Sequence, residues 1–335
     1  MSRMQIYVFF DQPEENYRCG DTVTGRIKIT AHENTRIDQL KVTPMWRTHG
    51  RGNKAQGKLT TMKLFSGTWH QGETYEYLFS FDTPLTPHTY EGELVNVDWF
   101  LHIHPDVPFE LDDKPEERFS LKPALDNPLE LPQASGCSKA APWFSGLFML
   151  PFIGVGLFFM MMAMKMILEE EFVGIFIFLV AAVFVLAPGF VLYKVAKNMF
   201  ADFILGNVTL RVEPEKVAPG EPFKLHLSCK PRWAVSSLTL QPHLLTKEEA
   251  TSGSGTDVTT YNHKLVDEDQ DKVFASSLKA QQPFSHTFVL VLPDITPATL
   301  HLKDNSVKTA VHMKLRTDRF TWEGAQEIIV RHHNK

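Results

Sequence analysis

Along most of the chain, apolar and polar residues alternate with a period of two. In "DTVTGRIKIT" the apolar positions are Val23, Ile27 and Ile29, following a Gly20-Asp21 turn, and "DQLKV" and "ETYEYLFSF" repeat the pattern. "LVNVDWFLHI" places Val95, Val97, Trp99, Leu101 and Ile103 on one face and Asn96, Asp98, His102 and His104 on the other. Alternation of this kind predicts antiparallel strands with one buried face. Short strands punctuated by Gly and Pro predict a β-sandwich for residues 1–138.

The alternation stops in the middle of the chain. Pro142 to Met164 and Phe172 to Tyr193 carry no charged residue, and about 20 apolar residues suffice to cross a bilayer as a helix. Core helices are rarely apolar on every side over such a length. The two blocks therefore predict spanning helices at 142–164 and 172–193. They are joined by a short acidic turn at 165–171, whose Glu169, Glu170 and Glu171 form a hydrated tip. So short a turn makes the pair an antiparallel hairpin, which returns both ends to one side. Pro151 and Pro188 lie inside the blocks, where they can kink a helix.

Lys and Arg near the membrane set orientation. The outer flanks carry Lys122, Lys139, Lys194, Lys197 and Arg211, whereas the turn has Lys165. This places both polar halves in the cytoplasm, with Trp143 and Tyr193 as interfacial aromatics, and makes the chain a multi-pass protein of the plasma membrane if it is bacterial.

After the hairpin the β pattern returns and follows the same order. "VTLRVEPEKVAPGEPFKLHLSC" gives strand, turn at Gly220 and strand, as around Gly20. "PFSHTFVLVLPDITP" parallels "ETYEYLFSFDTPLTP", and "VKTAVHMKLRT" sets Val311, Met313 and Leu315 where the first half has Val97, Trp99 and Leu101. Residues 207–335 are thus predicted to form a second sandwich of the same design.

The run Phe79 to Gly92 reads F-x-F-x-x-P-x-x-P-x-x-Y-x-G and leads into an alternating strand with Trp99. Together with "GDTVTGRIKI" it resembles the arrestin-like superfamily of tandem immunoglobulin-like sandwiches. The C-terminal half lacks the Tyr-x-Gly step, and the central hairpin departs from soluble arrestins. The resemblance implies a scaffold or adaptor that binds other proteins. It carries over no phosphate-sensing or receptor-contact residue, because no local motif matches one.

The net charge of -5 gives no general case for nucleic-acid binding. One stretch stands out: Gln39 to Gly72 has no Asp or Glu but carries Lys41, Arg47, Arg51, Lys54, Lys58 and Lys63. Its middle, "WRTHGRGNKAQGK", reads as a flexible loop or hairpin tip. Arg47, Arg51, Lys54, Lys58 and Lys63 are either solvated or a contact for anionic lipid or an acidic partner.

Three widely spaced cysteines, Cys19, Cys137 and Cys229, make no disulfide framework or CxxC pair. Met160 to Met166 invites a copper reading, but a contiguous run points all round a helix. The acidic groups at Asp112, Asp113, Glu116 and Glu117 and at Asp267 to Asp271 read as solvated loops without calcium-loop spacing. His102 and His104 have no recognisable third ligand nearby. No hydrolase, nucleotide-binding or metalloprotease motif is present, so the expectation is a non-enzyme with no cofactor and no metal.

Three functions remain open. The first is a membrane-anchored adaptor that binds protein partners. The second is a subunit of a membrane complex assembled through the hairpin, for which Gly146, Gly154 and Gly156 allow close packing. The third is a metal-handling membrane protein.

Overall fold

The computed structural model describes residues 3–13, 16–108, 115–125, 141–169, 172–275 and 277–332, with backbone alone at 141–147, 194–199 and 275. Among these residues the chain forms strands β1 Met4–Phe10, β2 Thr22–Ala31, β3 Thr35–Gly50, β4 Gln56–Lys58, β5 Met62–Trp69, β6 Thr74–Asp82, β7 Tyr90–Glu91, β8 Val95–Asp106 and β9 Glu116–Phe119. Helices α1 Ala141–Leu168 and α2 Phe172–Leu205 follow. Then come β10 Thr209–Glu213, β11 Lys216–Val217, β12 Pro222–Cys229, β13 Leu238–Ser254, β14 Asp257–Asp269, β15 Val273–Ala275, β16 Phe284–Val291, β17 Leu300–Leu302, β18 Asn305–Arg316 and β19 Thr321–Val330. The protein is mainly β, with sheets on either side of an apolar two-helix hairpin.

The two halves share a wiring diagram. One sheet runs β1-β2-β6 in the first half and β10-β12-β16 in the second, and the facing sheets are built on the pairs β3-β8 and β13-β18. Gly20 and Gly220 both open the second strand of their sheet at positive φ, 93° and 77°, which a side chain resists. The turns are tied alike: Thr83 N donates to Asp21 O at 3.0 Å, and Leu292 N to Glu221 O at 3.2 Å.

Period-two alternation puts Val23, Ile27 and Ile29 of β2 against Trp99, Leu101 and Ile103 of β8, all of them buried. In the second half Phe223, Leu225 and Leu227 meet Val311, Met313 and Leu315. The buried indole of Trp99 donates to Pro87 O at 3.0 Å, so its polar end is satisfied. Asp98, expected on the solvated face, is buried instead, paired with Arg118 and with His49 Nδ1 at 3.1 Å.

The helices depart from their expected limits. α1 continues to Leu168, so Lys165 to Leu168 are helical rather than part of the turn. α2 runs 34 residues, about 51 Å at 1.5 Å per residue, well past Tyr193.

Candidate functional site: the helical hairpin and its anchorage

Two segments, Phe148–Leu168 of 21 residues and Phe172–Tyr193 of 22, are long and apolar enough to cross a membrane. Their side chains are bare of other protein: Phe172 is 88% exposed, Met161 75% and Phe176 69%. A soluble protein rarely displays so continuous an apolar surface, and a core helix would have covered it.

What the helices do bury is small. Ala163 and Ala181 are fully covered. A Cβ on Gly156 would meet Val185 Cγ2 at 2.8 Å and Ala181 O at 3.2 Å, and one on Gly174 would meet Ala163 O at 3.0 Å. Gly156 with Ala163, and Gly174 with Ala181, form small-residue stripes with heptad spacing that let the backbones approach. Gly154, singled out with Gly156 in the sequence, has open space around it. The contact that sequence reasoning missed is the Ala163–Gly174 end, whose signal is the seven-residue repeat.

Glu169 caps the described part of the turn, exposed and 3.9 Å from Lys165 Nζ. Glu170 and Glu171 lie outside the described residues, as do Lys139 and the side chains of Trp143, Lys194 and Lys197. Met161, Met162 and Met164 are exposed while Ala163 between them is buried, so the methionines do not converge.

Beyond Tyr193, α2 becomes part of the second sandwich. Ala201, Ile204 and Leu205 join its core. Trp322 Nε1 of β19 donates to Asp202 Oδ1 at 2.7 Å. Phe200 packs on Trp233 and Phe320 with ring centroids 6.0 and 6.4 Å apart, and Phe203 on Trp233 at 5.6 Å. The helix stops at Gly206, whose φ of 71° makes the αL cap. A side chain there would strike Lys230 O at 2.4 Å, and Arg232 N takes up the orphaned carbonyl of Ile204 at 2.7 Å.

The opposite end of this sandwich meets the first one. Glu248 of β13 is fully buried. Its carboxylate accepts from Tyr90 Oη at 2.7 Å, Leu94 N at 2.6 Å and Glu93 N at 3.2 Å. A side chain on Gly92 would collide with it at 2.0 Å, so Tyr90 and Gly92 of the Tyr-x-Gly step form its seat. Burial, and then the Glu248 contact, hold the Tyr90 hydroxyl far above its ordinary range. Around this seat Leu94, Val95 and Val97 pack with Ala250, Leu300 and Val307.

The tip of the basic stretch belongs to the same junction. Its expected flexible loop is largely strand: Arg47 lies in β3, paired with Glu116 Oε2 at 2.8 Å and lying over Phe100 at 4.0 Å. At the tip, Asn53 and Gly253 exchange hydrogen bonds at 2.9 and 3.1 Å, Asn305 Nδ2 donates to Asn53 O at 2.8 Å, and Arg51 lies over Tyr261 at 5.5 Å. Lys54, Lys58 and Lys63 are exposed. The acidic groups are also more ordered than expected, since Glu116 lies in β9, and Asp267 and Asp269 of β14 bracket His243 at 2.8 and 3.0 Å. Asp112 and Asp113 lie outside the described residues.

His102 and His104 stack on the outer face of β8, 6.3 Å apart. Among the described residues no group of three or more His, Cys, Asp or Glu is placed to hold a metal ion. Cys19 and Cys229 are buried free thiols, pushed by burial up to about 12 and about 11, which keeps them protonated and unreactive.

The chain matches no protein-family model and no curated protein sequence. Among solved structures it is similar to Spo0M, a sporulation control protein from Bacillus subtilis, at 11% identity over 69% of this chain and 68% of that one, with a TM-score of 0.31.

Proposed function

We propose that the chain is a membrane-anchored, arrestin-like scaffold. Its hairpin crosses the bilayer twice, and both sandwiches stand on the cytoplasmic side, where they hold a protein partner near the membrane. The observation that supports this reading best is the continuity of α2. One helix carries the apolar segment and then enters the core of the second sandwich through Ala201, Ile204 and Leu205, an anchorage suited to holding a platform at the membrane. The duplicated sandwich and the sequence resemblance give the adaptor role its footing.

Assembly of a larger complex through the hairpin is less favoured. The buried small residues at Gly156, Ala163, Gly174 and Ala181 are used between the two helices themselves. The test is crosslinking and pull-down from native membranes, comparing the full chain with one whose residues 148–193 are replaced by an unrelated hairpin of the same length. A scaffold keeps its crosslinked partner after the exchange. Loss of the partner in a correctly inserted chimera refutes the scaffold reading.

A further inference from the structure

The end of the second sandwich that receives α2 carries an uncommon surface. Trp233 is 52% exposed and Phe200 and Phe203 44% each, although they pack on one another. Lys230, Arg232, Lys279 and Arg319, on the loops next to them, are exposed. These residues share one place because the 230–235 loop is clamped on both sides. Arg232 N bonds Ile204 O at the helix end, Val235 and Leu278 exchange backbone hydrogen bonds at 2.9 Å, and Gln281 N bonds Pro231 O at 2.6 Å. Arg232 lies over the Phe203 ring at 4.8 Å. Two acidic residues lie beside them: Asp318, 3.8 Å from Arg319, and the half-buried Asp202 of α2, which accepts from Trp322 Nε1.

Position decides what this surface faces. At 1.5 Å per residue, Phe200 lies about 10 Å and Phe203 about 15 Å along α2 from Tyr193, and the headgroup layer extends about 5–8 Å beyond the hydrocarbon, so the backbone of Phe200 stands just outside that layer and that of Phe203 about one turn further out. Helical side chains lean toward the helix N-terminus, which on α2 is the direction of the apolar segment. Phe200 and Phe203 therefore lean back toward the bilayer, and Trp233 goes with them. Half-exposed aromatic rings ringed by Lys and Arg are the chemistry of a membrane interface.

We propose that this end is a collar seated on the anionic headgroup layer, with Trp233 as its interfacial anchor and Lys230, Arg232, Lys279 and Arg319 as phosphate contacts. The inference rests on α2 crossing the membrane. It adds that the second sandwich is held to the lipid by its own surface as well as by the helix, and that it prefers acidic lipid.

Hydrogen exchange of the full chain, in nanodiscs of phosphatidylcholine alone or mixed with phosphatidylglycerol, tests it. Peptides covering 232–237 and 277–283 should exchange about fivefold more slowly in the acidic discs, the effect of one lipid-held cation on local opening. The exposed double variant Lys279→Glu, Arg319→Glu should abolish that difference while leaving β18 exchange unchanged. Equal rates in the two lipids, or a difference that survives the charge reversal, overturns the collar. Peptides from 172–193 report separately on the membrane reading. If they are protected in both lipids and the loops do not respond, the collar alone fails; if they exchange freely, the membrane reading fails and takes the collar with it.

Discussion

Trp322 Nε1 donates to Asp202 Oδ1 across 2.7 Å, joining a strand of the second sandwich to the far end of the helix whose other part is apolar on every side. The bond fixes the rotation of the sandwich about α2, since Trp322 is itself buried. Trp322→Phe and Asp202→Ala should each cost about 1–3 kcal/mol and should couple in a double-mutant cycle. Unfolding of the full chain in detergent measures both. Additive losses would mean that the hydrogen bond contributes nothing.

At the other end of β13, Glu248 gathers three donors from the first sandwich. Glu248→Leu strands all three in a dry junction, a loss of about 3 kcal/mol or more. Tyr90→Phe removes one partner and should cost about 1 kcal/mol. Faster hydrogen exchange at 92–97 and 248–253, with the distal strands β1 and β12 unchanged, is the expected signature of parted sandwiches.

Gly156→Leu should destabilise the hairpin by about 1–3 kcal/mol through overpacking, because even its Cβ lies 2.8 Å from Val185. Gly154→Leu, with nothing within 4 Å, should be neutral. Thermal unfolding in one detergent compares them. Equal effects would refute the packing described.

Acid should weaken the first sandwich through His88. Burial, and then the nearby His332 charge, lower its pKa to about 4 from an ordinary 6.5. Between those values the unfolded chain binds the proton and the fold does not. Stability present above pH 6.5 is therefore lost as pH falls toward 4, by about 3 kcal/mol at most. His88→Phe should flatten that slope in denaturant titrations at stepped pH; an unchanged slope assigns it elsewhere.

Much of this architecture is legible in the chain because it is local. Period-two alternation locates β2, β6, β8 and their counterparts, and Gly20 and Gly220 mark matching turns. α2 beyond Tyr193 was not legible, because Lys194, Lys197 and Asp202 break the apolar run. Its only signal is a helical stripe of Ala201, Ile204 and Leu205. Glu248 sits in "TKEEATSGSG", where nothing local marks it for burial, and Tyr90 and Leu94, some 150 residues away, close over it. Asn53 likewise finds Gly253 and Asn305 across the fold, so a polar Gly-rich tip that reads as free turns out to be a clasp.

This clasp also bears on where the first sandwich stands. It contacts the Asn305 end of β18, whereas Leu315 and Trp322 pair at the end that receives α2. Those ends are about 35 Å apart at 3.3 Å per residue. Arg51 and Asn53 therefore sit a full strand length from the helix, so removing Lys54, Lys58 and Lys63 by substitution with Gln should leave exchange in 232–237 unchanged.

The central claim is that the hairpin crosses a bilayer with both sandwiches on its cytoplasmic side. The most direct test is labelling with a membrane-impermeant maleimide in intact cells, on full-length proteins carrying a new cysteine at Glu170, at Lys63 or at Lys224. The Glu170 variant should label from outside, and the Lys63 and Lys224 variants only after permeabilisation. A Glu170 cysteine that stays protected until the cells are opened, or sandwich cysteines that label in intact cells, would contradict it.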